Sequence, residues 1–353
     1  MKITISEVAE KAGVSIKTVS RVMNNEAGVR NATKEKVKAA MLELNYKPSQ
    51  AARSLASTQS FQIGFIYDNP NAYYVIDMQN GILEVCHQSN YELLIHPCNA
   101  SSNNIVEEIL QLIKKSNLDG LVLTPPLSEN QHLIFELQKK NICFVRVISG
   151  KGNIEESSQC IFVNDRSAST AITEYLLELG HKDIAFICGD AEHKSSRERF
   201  DGFQQALKQH GVALNPDFII DGTYSFESGV NGARKLLELP KKPTAIFASN
   251  DEIAAGALFA CRLEGVDIPS TISIVGFENS PFSRQTWPKL TTAEQPTKNI
   301  AKAATELLLR QMRNQVSDQL VEFNPELLVR ESTTNLANES PVLYTRIEDV
   351  DFI

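Results

Sequence analysis

The sequence predicts two architectures in one chain: a small all-α helix-turn-helix headpiece, and an α/β body of two doubly wound parallel-sheet lobes. Three observations predict it. Residues 3–24 read as two short helices joined at a glycine. From Phe61 onward, apolar strand-like runs alternate with helical ones. That alternation starts afresh near Ile161, so the body holds two such series. At 353 residues the chain is long enough for two or three domains.

The headpiece reads from its caps and spacing. Helix 1 is expected to start at Ser6, with Glu7 at the positive helix end and Val8 and Ala9 turned inward. Gly13 permits the tight turn, because a left-handed backbone costs glycine little. Ser15 is an N-cap type for helix 2, which runs to about Asn24. Val14, Val19 and Val22 can then face a small core, leaving Ile16, Lys17, Thr18, Ser20 and Arg21 outward. Outward residues near the start of such a second helix are those that reach base edges in a major groove. Arg21 can donate two bonds to guanine; Lys17 can do the same or bind only phosphate; Ile16 suits a thymine methyl. Ser15, Thr18 and Asn24 are candidates for phosphate contacts that set the register. Helix 3 reads from Thr33 to Leu44, with Val37, Ala40, Met41 and Leu44 as its apolar stripe. Pro48 stops that regularity, and Ser49 can cap a short helix over residues 50–56. Leu55 on that helix is followed by the polar run Ser57–Ser60, which offers no core to join. A wedge between base steps is the expectation for it.

Charge agrees. Residues 1–60 carry ten Lys and Arg against five acids, or +5, while the remainder carries −13. A basic headpiece on an acidic body suits a module that docks on phosphates.

In the body, the first series has strand 61–67, a helix near 76–89, strand 91–96, helix 105–116 and strands 120–124 and 142–147. The second has helix 167–179, strand 184–188, helix 197–210, strand 218–221, helix 227–239, strand 245–248, helix 252–264 and strand 273–277. Two such lobes place a cleft at the carboxyl ends of their strands. His193 and Ser195 fall in the loop after the strand 184–188, and Arg197 and Arg199 open the next helix. A guanidinium fork there suits vicinal hydroxyls or a carboxylate. Tyr73 and Tyr74 follow the first strand, where their rings can pack on the C–H face of a pyranose.

Several function classes are set aside. No GxSxG elbow, P-loop or HExxH is present, and no Gly-rich nucleotide fingerprint follows either first strand. The six cysteines form no CxxC pair, and the six histidines lack metal-ligand spacing, so no metal site and no cofactor are expected. No apolar run reaches the roughly 18–20 residues of a membrane span. No apolar segment of the secretory kind follows Lys2, so a cytoplasmic location is expected.

Residues 3–55 resemble the headpiece of the LacI/GalR family of bacterial repressors. The matching residues are Val8-Ala9, Ala12-Gly13-Val14-Ser15, Thr18-Val19-Ser20-Arg21-Val22 and Asn24, with Tyr46, Pro48 and Ala52-Arg53-Ser54-Leu55 in the hinge. The body resembles the same family, and through it periplasmic sugar-binding proteins (the type I fold). Its matching motifs are Leu179-Gly180-His181-Lys182-Asp183, Arg199-Phe200-Asp201-Gly202-Phe203, Ser249-Asn250-Asp251, Ile274-Val275-Gly276-Phe277-Glu278 and Leu328-Val329-Arg330-Glu331-Ser332. The resemblance covers about residues 3–335. It implies that Ile16, Lys17 and Arg21 read an operator and that Leu55 intercalates at a central step. It implies ligand contacts from Tyr73, Tyr74, Arg199, Tyr224, Asn250 and Glu278, where Glu278 departs from the family's usual Asp. It also implies three chain crossings between lobes, near 160–164, 291–296 and 323–327, with Asn164 and Asp165 beside the first and a helix near 297–314 returning to the first lobe.

The expected organisation is therefore a helix-turn-helix domain at 1–47, a hinge helix and linker at 48–60, and a two-lobed effector-binding and dimerisation domain at 61–335. Its first lobe spans about 61–160 plus 293–323, and its second about 161–291 plus 325–335. An acidic extension follows at 336–353. The expected function is a sequence-specific transcriptional regulator, a repressor, that binds pseudo-palindromic double-stranded operator DNA. A small molecule between the lobes, a sugar, would control it. A homodimer is expected, with a tetramer possible and no membrane partner. A sugar-binding transport protein and an α/β enzyme with an accessory DNA-binding domain are the competing functions.

Overall fold

The computed structural model describes residues 3–23, 28–46, 59–69, 71–150, 160–315 and 320–336. The chain divides into two compact units, Met1–Phe61 and Gln62–Ile353. The expected hinge helix with Leu55, the contact residue Asn24 and the extension beyond Leu336 lie outside the described residues.

The first unit holds three helices, α1 (Ile5–Ala12), α2 (Ile16–Met23) and α3 (Asn31–Glu43). Helix α1 starts ahead of Ser6, because Thr4 is the cap and the Glu7 carboxylate reaches back to it. Glu7 accepts the Thr4 backbone N–H at 2.6 Å and the Thr4 hydroxyl at 2.9 Å. Those two bonds hold the exposed Glu7 carboxyl below its usual pKa. Gly13 ends α1 with φ +66°, in the left-handed region. The Ser15 hydroxyl caps α2 by accepting the Thr18 N–H at 3.1 Å. Val8, Ala9, Val19, Val22, Val37 and Ala40 bury together as the core of the unit.

The second unit alternates strands and helices as its sequence pattern requires. The first lobe has β1 (Gln62–Tyr67), α4 (Ala72–Ser89), β2 (Glu92–Pro97), α5 (Ile105–Ser116), β3 (Gly120–Leu123), α6 (Gln131–Lys139), β4 (Cys143–Ser149) and β5 (Cys160–Val163). Its sheet runs β2-β1-β3-β4-β5-β11, where β11 is Val321–Phe323, and every pairing is parallel. Strand β5 therefore belongs to the first lobe. The expected boundary at 160/161 moves past Val163, because all four β5 residues are buried as an interior strand of that sheet. Helix α4 begins at Ala72, not near 76, because Asn71 caps it by accepting the amides of Tyr73 (3.1 Å) and Tyr74 (3.2 Å).

The second lobe has α7 (Asp165–Glu178), β6 (Ile184–Ile187), α8 (Lys194–Gln209), β7 (Ile219–Ile220), α9 (Phe226–Glu238), β8 (Ala245–Ala248), α10 (Asp251–Leu263), β9 (Ser273–Val275) and α11 (Pro281–Gln285). Its parallel sheet runs β7-β6-β8-β9. Phenylalanines 186, 203 and 247 fill one face, with ring centroids 5.0 to 6.3 Å apart. Strand β10 (Thr292–Glu294) pairs antiparallel with β12 (Glu326–Leu328), so the second and third crossings lie side by side. Helix α12 (Thr297–Met312) returns to pack on α4. Gly81 lies so close to it that an added Cβ would stand 2.4 Å from the Lys298 carbonyl oxygen. Strand order reverses between β1 and β3 in one lobe and between β6 and β8 in the other. Each lobe thus opens a crevice at its strand carboxyl ends.

Candidate DNA-reading face and effector cleft

On the headpiece, the start of α2 presents its polar side outward. Ile16 is half exposed, and Ser15 and Lys17 are exposed. Thr18 and Arg21 are partly exposed, and the Ser15 and Thr18 hydroxyls stand 2.9 Å apart. The apolar positions Val19 and Val22 face the core, which forces these residues outward by helical spacing. Ile16, at 50% exposure, lies outside the core cluster of the unit.

Within the body, a narrow polar cavity lies between the lobes, with about 40 Å³ of room for water-sized groups. The first lobe contributes Asn69, Asn71, Tyr74 and Ser149; the second contributes Asp165, His193, Ser195, Arg199, Tyr224 and Glu278; Gln295 comes from the second crossing. A wider and more open groove of about 700 Å³ lies along α5 and α6, where Val106, Leu110, Ile113 and Ile142 are flanked by charged side chains such as Glu107, Lys114 and Glu136.

Arg199 is the centre of the site. Its side chain is 3 % exposed, held on the second turn of α8. Nε donates to Asp165 at 2.8 Å, Nη1 to the Ser249 carbonyl at 2.7 Å and to Glu278 at 3.3 Å, and Nη2 to Gln295 at 3.3 Å. The guanidinium lies 3.9 Å from the Phe277 ring centroid, a stacking that suits its weakly hydrated plane. Burial disfavours its charge, but Asp165, Tyr224 and Glu278 outweigh that and hold its pKa above the ordinary value. Burial raises the Glu278 carboxyl, opposed by Arg199. Burial lowers His193, which keeps its ring neutral near pH 7. Burial likewise raises Tyr74 and Tyr224, so both phenols stay protonated as donors. The Tyr224 hydroxyl lies 2.7 Å from that of Ser196 and 3.1 Å from that of Ser195, with the His193 ring edge-on to it.

The structure thus joins Tyr74, His193, Ser195, Arg199, Tyr224 and Glu278 of the expected residues at one cavity. Three others stand apart. Tyr73 turns its ring edge to Phe282, at 5.7 Å between centroids, because the Asn71 cap places it on the outer side of the first helical turn. Arg197 is exposed, since α8 begins at Lys194 and two residues along a helix rotate it away from Arg199. Asn250 is wholly buried and caps α10, accepting the Ile253 N–H at 2.9 Å. Asn164 likewise caps α7 and ties the first crossing to the third through Glu322 and Asn324. Four polar cavity residues escaped the sequence reading, Asn71, Ser149, Gln295 and Asn69, along with the apolar Pro125, Val147, Ile148 and Val163. Asn71 alone carried a signal, an Asn directly before a helical pattern.

The comparisons with known proteins agree with this architecture. Residues 4–49 match the family model for bacterial regulatory proteins of the lacI family, and residues 173–333 match a periplasmic binding protein-like domain. The HTH-type transcriptional repressor PurR of Vibrio vulnificus (strain CMCP6) is 32% identical over 338 residues, which is 94% of this chain and 99% of the relative. The repressor of the same name from Actinobacillus pleuropneumoniae serotype 3 (strain JL03) is 35% identical over 338 residues, again 94% and 99%. Among solved structures, the Lac repressor dimer bound to operator and the anti-inducer ONPF superposes with a TM-score of 0.76 at 27% identity, covering 95% of this chain and 100% of the other. The complex of the transcriptional regulator CelR with cellobiose gives 0.71 at 25% identity, covering 94% and 99%. These family members are regulators and not enzymes. With a helix-turn-helix unit, a two-lobed body and full-length identity above 30%, this chain belongs to the lacI family of bacterial regulatory proteins, as a DNA-binding transcriptional repressor.

Proposed function

We propose that this repressor acts as a cytoplasmic homodimer whose grip on a pseudo-palindromic operator is set by a small molecule in the Arg199 cavity. Ile16, Lys17 and Arg21 read base edges, Ser15, Thr18 and Asn24 hold phosphates, and Leu55 in the hinge segment 48–60 wedges a base step. The single observation that carries effector control is Arg199, a buried cation at a polar cavity lined by both lobes. A ligand there must favour one lobe arrangement over the other to control anything.

The ligand is a small ring with hydrogen-bond donors. Tyr74 and Tyr224 supply aromatic walls, and Asp165 and Glu278 supply acceptors. Asn250 remains a second-layer contact, since its buried Nδ2 has no partner among the described residues. A sugar is one member of that class, as in the CelR complex with cellobiose. The names of the repressors matched over the full length identify no sugar, so the sugar expectation is widened to rings with N–H or O–H donors.

Pairing of two chains is supported by apolar surface on the second lobe. Phe259 and Leu263 of α10 are 47% and 57% exposed, and Phe259 packs on Phe226 at 5.6 Å. Exposed large apolar side chains clustered on one helix suit an interface. No helix among the described residues is long and apolar enough to cross a membrane.

A thermal-shift screen of the full-length protein against monosaccharides, disaccharides and nitrogen heterocycles tests this reading. A true effector changes operator affinity and loses its stabilising effect in Tyr224→Ala and Glu278→Gln. A ligand that stabilises both variants as well as the parent binds elsewhere.

A further inference from the structure

Glu278 departs from the family's usual Asp, and the longer arm reaches something specific. Its Oε1 accepts from Arg199 of its own lobe at 3.3 Å, and its Oε2 accepts from Asn71 Nδ2 of the first lobe at 2.7 Å. The Asn71 orientation is set independently, because its Oδ1 is engaged by the Tyr73 and Tyr74 amides at the start of α4. Glu278 holds this position with φ +105°, a left-handed conformation that a non-glycine residue adopts only when its surroundings enforce it. A second bridge of the same form lies alongside. Ser149 of the first lobe donates to Asp165 at 2.5 Å, and Asp165 in turn accepts from Arg199. One guanidinium thus holds two carboxylates, and each carboxylate takes a neutral donor from the opposite lobe.

We propose that Glu278 is a built-in stand-in for part of the effector: it clasps one lobe to the other across the cleft and closes the site to anionic ligands. The clasp follows from the bonds across the cleft. The exclusion follows from charge, since Arg199, the one Lys or Arg among the described residues lining the cavity, already faces two carboxylates and has no surplus to offer an anion. An uncharged or cationic ligand can replace the Asn71 bond by donating to Glu278 itself. This rests on the cavity being the effector site, but the main test below uses no effector, so the two can fail separately.

The cleft contains its own reporter. The Lys194 backbone N–H, at the first turn of α8, donates across the cleft to Glu129 Oε2 at 3.2 Å. Hydrogen–deuterium exchange of the segment holding Lys194, in the full-length protein without ligand, therefore reads whether the lobes are shut. Asn71→Asp keeps a capping oxygen for α4 but sets a carboxylate against Glu278. It should speed exchange of that amide by about tenfold, the effect of losing one charge-assisted bond. Adding Glu278→Gln swaps donor and acceptor across the pair and should restore the slow exchange. Unchanged exchange in Asn71→Asp would overturn the clasp, and so would failure of the double variant to restore it while both variants melt as cooperatively as the parent. Inorganic phosphate at matched ionic strength should leave the parent's exchange unaltered and should slow it in Glu278→Gln. Equal protection by phosphate in both would overturn the exclusion of anions.

Discussion

Replacing Arg199 by Met tests the centre of the body directly. Methionine keeps much of the side chain's volume and its packing on Phe277 but removes the charge and five N–H donors. In the parent, four bonds leave the guanidinium, two of them to carboxylates whose side chains are only 3 % and 15 % exposed. Taking away one partner of such a buried pair leaves uncompensated charge, and the loss is about 3–5 kcal/mol, more than the pair itself contributes over an apolar isostere. For a body of this size that corresponds to a fall in melting temperature of roughly 6–20 °C. The loss should also depend on pH. Burial already raises the Glu278 carboxyl, and Arg199 opposes that rise, so the variant's Glu278 rises further. An acid whose folded pKa lies above its unfolded value gives stability at low pH and loses it as pH climbs through the folded pKa. The gap between parent and variant should therefore narrow as pH is lowered from neutral toward about 5. Calorimetry of both proteins across that range is the assay. A loss under about 1 kcal/mol, the scale of an exposed pair, or a gap that does not change with pH, would refute the account of a charge-dependent buried cluster.

Four further outcomes are expected. Asp251 is wholly buried, accepts from Thr292 and the Ser280 N–H, and is pushed up to about 7 by burial. Its contribution is present at low pH and fades as pH rises through about 7, so Asp251→Asn should flatten the pH dependence of melting there; an equally steep profile would count against it. Gly81→Ala should cost about 1–3 kcal/mol by driving a methyl into the α12 backbone, read as a lower urea midpoint at unchanged slope. Ser15→Ala removes the cap of α2 and should lower headpiece stability by about 1 kcal/mol, seen as weaker amide protection at the start of α2. Arg21→Ala should weaken operator binding by about 1–3 kcal/mol and relax preference at one base pair; equal weakening on all sequences would make Arg21 a phosphate contact.

Much of the molecule is legible in its sequence. The helical spacing of Val19 and Val22 places Ile16 and Lys17 outward, and the alternation from Phe61 onward places eight strands to within two residues of their ends, while β5, β10, β11 and β12 had no expected range. Departures came where a cap outranked an apolar pattern. Asn71 extends α4 back to Ala72, and α8 begins at Lys194, ahead of the expected Arg197. One departure came from pairing: β5 joined the first sheet because its hydrogen-bond partners are β4 and β11, which no local pattern reveals.

Periodicity, caps and motif spacing act within a turn or two of chain, so the sequence by itself determined the three-helix headpiece, the two α/β series and the aromatic and cationic residues available to a cleft. Only the tertiary structure decided which of them meet. Asn71 and Glu278 are 207 residues apart and touch because the chain crosses between lobes and because Glu is one methylene longer than Asp. Tyr73 and Tyr74 are neighbours in sequence, yet one faces Phe282 and the other the cavity, since a step along a helix turns a side chain by about 100°. Burial and crossing geometry, which depend on the whole packed body, settle matters that composition and spacing leave open.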